Sequence, residues 1–169
     1  MIRQIIGFRS DDAGHWVAEL SCGHAQHVRH RPPLQDRPWV LEPEGRAGRV
    51  GSPLGCPPCD RAELPTGLVA RGSAGPWDAD GIPAGLRRSH RTPEGRWGLL
   101  RVHEGTVDFA VETGAGEPGE VVHLSAGAAQ PIPPGVPHRV VPRGRVRLEL
   151  ELWGPPQPSS AMRTSSRGF

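Results

Sequence analysis

The stretch from Gly127 to His138 constrains this chain most. It reads Gly-Ala-Ala-Gln-Pro-Ile-Pro-Pro-Gly-Val-Pro-His, so Pro133 and Gly135 share one tight turn. Proline holds φ at about −65° and glycine permits φ above zero, which suits them to turn positions. After Pro137, the run His138-Arg139-Val140-Val141 alternates as a strand does. The spacing therefore delivers one imidazole at the first position of a strand, directly after a stiff loop. A rigid element is a good place to hold a ligand atom. The plainer reading is an ordinary Pro-Gly turn followed by a surface histidine.

Turns are dense elsewhere too. The 169 residues include 23 Gly and 20 Pro, which argues against long helices. Beyond Glu63–Gly67, a plausible boundary, the pattern is all-β. Short strands are expected at 68–71, at 97–104 with a hairpin partner at 106–112, and at 120–124, 129–132, 138–141 and 146–153. Residues 74–78 read as a loop. Val107, Phe109 and Val111 alternate with Asp108, Ala110 and Glu112, the signature of a half-buried strand. Such a series suits a sandwich or small barrel. The stretch Phe109 to Gly119 imitates a strand followed by a glycine-rich nucleotide loop, but Pro118 leads into another β-like run and no βαβ unit exists. It reads as a flexible hairpin loop. The tail from Gly154 is Pro/Ser-rich, has little to bury and reads as disordered.

The net charge of +2 is spread evenly, with acids and arginines nearly balanced on both sides of the boundary. No basic surface for non-specific nucleic-acid binding is implied. No apolar run is long enough to span a membrane, and no secretory h-region opens the chain, so a soluble cytoplasmic protein is expected.

All three cysteines lie in the first 60 residues. An odd count, with two of them in Cys56-Pro-Pro-Cys59, points to metal rather than a secretory disulfide framework. Zinc takes four soft or borderline ligands in a tetrahedron. Cys22-Gly-His24 and Cys56-x-x-Cys59 each offer two from one backbone knuckle, giving Cys22, His24, Cys56 and Cys59. His27 and His30 are alternatives to His24. The competing reading is a Cys56/Cys59 redox pair, but a thioredoxin-like motif needs a following helix, and Pro65 leaves little room for one. Residues 3–20 read as a hairpin, with Ser10–Gly14 as its turn.

Two resemblances follow from these residues. Leu20-Ser-Cys-Gly-His-x-Gln-His-Val-Arg-His-x-Pro-Pro33, then Arg37-Pro-Trp-Val40, Gly45-Arg46 and Cys56-x-x-Cys59-Asp60, resemble a small bacterial domain family of unknown function over residues 1–61. That resemblance implies no activity. It leaves His27, Arg29 and His30 either as packing residues or as a binding surface. Residues 64–153 resemble the TehB/YeaR-like cupin family. The matching residues are Leu64-Pro65-x-Gly67-Leu68, Ile82-Pro-Ala-Gly-Leu86, His90-Arg-Thr92, Trp97-Gly98, Glu104-Gly105, Pro133-x-Gly-Val-Pro-His138, Glu149 and Glu151.

This second resemblance implies a cupin-type β-barrel (a double-stranded β-helix) and an association with tellurite resistance. Aligned on Gly105, the general cupin motif would place a glutamate at Gly98 and a second histidine at Thr92, so two of the four usual ligands are absent. The resemblance leaves His90, His138 and a carboxylate, best Glu151, to hold a divalent metal with positions open for water or substrate. The alternative is two interior histidines without a metal. Trp97 reads as core rather than site wall, and His103 and His123 as surface strand residues.

The expected architecture is therefore mainly β, with a zinc-binding domain over 1–61, a cupin barrel over 64–153 and a tail over 154–169. Two functions fit. One is a metal-binding cupin that handles a small molecule or toxic anion. The other is a non-enzymatic sensor or interaction protein that docks a protein partner on its zinc knuckle.

Overall fold

The computed structural model describes residues 1–113 and 118–156. It is mainly β, in two sheets. Most of the Gly114–Gly119 loop and the tail from residue 157 lie outside the described residues, so the loop and tail readings do too.

The first sheet has the order β3-β2-β1-β4. Strands β1 (Ile2–Ser10) and β2 (Trp16–Leu20) form the expected hairpin. The Asp11 carboxylate closes its turn by accepting the amides of Ala13 (2.9 Å) and His15 (2.8 Å). That is the local competition with backbone pairing that favours Asp in turns. Strand β3 (Ala25–His27) adds to β2, and β4 (Pro53–Gly55) to β1. Two short helices accompany them, α1 (Pro43–Ala47) between β3 and β4 and α2 (Pro57–Asp60) directly after β4. Each starts on a proline, whose missing N–H costs nothing in a first turn. Ile5, Ala18, Leu20, Val28 and Val40 form the apolar core here, with all three cysteines buried among them.

The second sheet has the order β5-β9-β6-β7, with β8 also on β6. Its strands are β5 (Val69–Asp78), β6 (Trp97–Glu112), β7 (Pro118–Ser125), β8 (Ala129–Ile132) and β9 (His138–Gly154). A single helical turn, α3 (Ala84–Arg87), follows β5. Leu100, Val102, Val107, Phe109, Val140, Val146 and Leu148 fill the core.

Three expectations are corrected here. Residues 74–78, read as a loop, belong to β5, which pairs with β9 through two irregularities. Residues 97–112 are one strand rather than a hairpin, and β9 follows it antiparallel from His138 opposite Val111 to Trp153 opposite Trp97. Gly105 explains the misreading. Its φ of +73° is glycine-favouring, but it marks a register irregularity and not a reversal. A Cβ there would lie 2.0 Å from the Arg145 carbonyl oxygen, so glycine is required by the close approach of β9. Finally, strand 106–112 is not half-buried by alternation. Asp108 is buried with Val107 and Phe109, and is held by Arg143 and by His123 at 2.6 Å. Those two partners, Arg143 first, hold its carboxyl below the usual range.

Among the described residues no helix is long and apolar enough to cross a membrane.

Candidate metal centre and histidine pair

Cys22, in the turn two residues past β2, sits directly before Gly23, whose φ of +90° turns the chain back so that His24 faces the same point. Cys56 precedes the first turn of α2 and Cys59 lies within it, where its amide donates to the Cys56 carbonyl at 3.0 Å. The four ligand atoms lie within 4.8 Å of one another. His24 Nδ1 is 3.5 Å from Cys22 Sγ, 3.4 Å from Cys56 Sγ and 3.6 Å from Cys59 Sγ, and Cys22 and Cys56 Sγ are 3.8 Å apart. A tetrahedral zinc with bonds of about 2.3 Å to sulfur and 2.05 Å to nitrogen separates S from S by about 3.8 Å and S from N by about 3.6 Å. The donor set and the spacings both fit zinc.

The electrostatics agree. A hydrogen bond from Cys59 is the main cause pulling the Cys22 thiol down to about 5, and the same pairing, helped by burial, pushes Cys59 up. One thiolate is thus already favoured in the metal-free pocket. A cation would complete the deprotonation of the others.

The alternatives to His24 are engaged elsewhere. Exposed His27 bonds Asp11 at 2.8 Å, and His30 Nδ1 accepts the Arg37 amide at 3.0 Å. What sequence reasoning missed is the support from the second sheet. Trp97 is fully buried, donates its indole N–H to the Cys22 carbonyl at 2.7 Å and meets the His24 ring edge-on at 5.5 Å. It is core, as expected, but it is core shared with the cysteine cluster. Contacts of this kind orient metal ligands. Arg3 makes a second bridge. Its buried guanidinium donates to the Pro134 carbonyl at 2.8 Å, in the turn that carries His138. Nothing local in the sequence announces contacts across such separations.

His90 and His138 meet in the second sheet. Their backbones form an antiparallel bridge with both hydrogen bonds made, at 3.0 and 2.9 Å. Their ring centroids are 4.1 Å apart. Each Nδ1 faces a carbonyl two residues earlier: Arg88 at 3.0 Å for His90 and Val136 at 2.8 Å for His138. Those bonds place the proton on Nδ1 and leave the Nε2 lone pairs for a ligand. His138 is buried against Phe109, and burial pushes it down to about 4.

The third expected ligand does not join them. Glu151 lies near the far end of β9, opposite Leu99, about 40 Å of strand contour from His138. It accepts from the Trp153 indole at 2.8 Å and pairs with Arg101. Glu149 pairs with His103 at 3.2 Å. Among the described residues the Cys22 cluster is the one group of three or more potential ligands. The other positions are filled structurally. Thr92 donates to the Pro133 carbonyl at 3.1 Å, and a Cβ on Gly98 would lie 3.2 Å from the Ile132 side chain, which would have to give way for a glutamate.

Residues 73–150 match the TehB-like domain. Residues 6–63 match a family described as a protein of unknown function, DUF3565. TehB from Haemophilus influenzae is similar in structure, with a TM-score of 0.51 and 22% identity over 53% of this chain. The chain spans about a third (32%) of that protein's length. A protein from E. coli strain K12 aligns with a TM-score of 0.52 and 22% identity, over 56% of this chain and 98% of its own. At such identities the likeness is one of fold. No curated protein matches the chain. The TehB-like region contributes the histidine pair and Trp97, whereas the Cys3His cluster falls wholly within the DUF3565 match.

Proposed function

We propose that this chain is a metal-binding, cupin-type protein that captures a small molecule or oxyanion at a cation held by His90 and His138. Zinc at Cys22, His24, Cys56 and Cys59 serves as its structural clamp. The observation that carries the reading is the paired imidazoles, with both Nδ1 atoms committed to carbonyls and both Nε2 atoms left over. Two neutral nitrogen ligands and no carboxylate leave most of a divalent ion's coordination, and all of its charge, available to an anion. His90 is only partly buried, so the approach is from its side. The match to the TehB-like domain makes tellurite-type oxyanions the first ligands to try. Three buried free thiols suit the reducing cytoplasm.

Metal analysis of the full chain tests this. The wild type should hold two equivalents. Cys59→Ser should lose the zinc, and His138→Ala the other ion together with tellurite binding. A wild type with one equivalent that His138→Ala retains would sink the reading. A second reading, a non-enzymatic interaction protein docking through the zinc knuckle, is favoured by the missing third ligand and predicts that outcome.

A further inference from the structure

The Val28-Arg-His-Arg31 stretch takes no part in either centre, yet it lines a cavity of about 280 Å³ beside the first sheet. Trp16, Val28, Val40 and Leu41 supply apolar wall. The polar wall is basic, made of Arg29, Arg31, His15 and His30, and no carboxylate lines the cavity. We propose that this cavity binds a small organic carboxylate, its charged group on Arg29 and its apolar body against Trp16 and Val28.

Arg29 carries the argument. Its Nε is buried and has no hydrogen-bond partner, and among the described residues the guanidinium has no ion pair. Buried donors are almost always satisfied, so the unpaired Nε is unusual, while Arg29 as a whole is only partly buried and its two terminal nitrogens stay open to a ligand. A carboxylate matches its planar fork in two parallel bonds. His30 adds a donor, because its Nδ1 accepts the Arg37 amide and so puts the ring proton on Nε2. The nearby acids do not fill the cavity. Asp11 is engaged by His27 and His15, and exposed Asp36 lies 3.7 Å from His30 Nδ1, outside the cavity lining.

The apolar wall is preformed. The Arg46 guanidinium stacks 3.5 Å over the Trp16 ring and also donates to the Val40 carbonyl at 2.7 Å. Val28 is tied beside Trp16 by the hydrogen bond that its amide N–H donates to the Trp16 carbonyl at 2.9 Å. A volume of this size suits a single ring or a short aliphatic chain bearing one charged end.

Calorimetric titration of the zinc-loaded full chain with benzoate, using uncharged benzamide as control, tests the proposal. Benzoate should bind saturably and shift the Trp16 indole N–H resonance, while benzamide does neither. Arg29→Met should weaken benzoate by about 10- to 100-fold, the worth of a lost charge-assisted pair. Arg31→Gln, at an exposed position, should weaken it about 2- to 5-fold and reads the charge independently if the Arg29 variant fails to fold. Zinc content checks that each variant is folded. Equal affinity for benzamide, no benzoate binding at millimolar concentration, or affinity unchanged in the folded variants would overturn the proposal.

Discussion

The cysteine cluster and the histidine pair are built in opposite ways. The cluster gathers four side chains from two places in the chain, closing gaps of 34 and 35 residues. No backbone ladder joins Cys22 to Cys56 or Cys59. The first sheet is small, with short outer strands and few apolar residues, and a domain of this size buries too little surface to be comfortable alone. His90 and His138, by contrast, are neighbours across a backbone bridge, and His138 opens a strand paired along its length with β6. In the first region the metal would complete the fold, and in the second the fold presents the ligands. Reciprocal tests follow from this difference.

Removing the zinc should have the largest effect. Small zinc modules draw on the order of 10 kcal/mol of apparent stability from the ion. In Cys59→Ser, hydrogen exchange should show β1–β4 losing protection while β6 and β9 keep theirs. Equal losses in both sheets would erase the contrast.

Trp97 is where the contrast should fail, because it belongs to β6 and packs on the cluster. Trp97→Ala should cost about 3–5 kcal/mol in thermal or urea unfolding and loosen both sheets. Trp97→Phe retains much of the packing but leaves the Cys22 carbonyl unpaired, at about 1–2 kcal/mol. A Trp97→Ala protein whose zinc affinity is unchanged would mean that the indole does not support the cluster.

Acid should single out the histidine pair. His138 sits at about 4 in the folded chain against 6.5 when free. Between those values the unfolded chain binds the extra proton, so stability is full above pH 6.5 and falls as the pH drops towards 4. In metal-free protein the loss should reach about 3 kcal/mol by pH 4. His138→Phe should flatten the slope across that window. A slope unchanged in that variant would assign the acid sensitivity elsewhere.

The smallest effect is expected at the second bridge. Arg3→Met removes the donor to the Pro134 carbonyl and should cost about 1–2 kcal/mol. Nuclear magnetic resonance should show the Val136 and His138 amides shifting while the zinc stays bound. Silence at those amides would show that the two regions are joined at Trp97 and not through Arg3.

The four residues of the Cys3His cluster were legible because knuckle spacing is a local property. Cys22-x-His24 and Cys56-x-x-Cys59 each converge through one turn of backbone, whatever the rest of the chain does. The hairpin at 3–20, the strand at 129–132 and the turn that delivers His138 are local in the same sense. Periodicity over a few residues, and the φ preferences of Pro and Gly, specify them. The choice of His24 over His27 and His30 was not local. It depended on β3 turning His27 towards Asp11 and on the Arg37 amide reaching His30. Glu151 was misassigned because it and His138 share a strand, and no pattern along a strand reveals how far apart its ends come to lie. Gly105 read as a turn because its αL conformation is the same in a hairpin and in an irregularity, and only the Arg145 carbonyl beside it distinguishes them. Arg3, Trp97 and the burial that shifts His138 belong to the same class. They depend on which distant segments are pressed together, and that is decided by the packing of the two sheets rather than by residues adjacent in the chain.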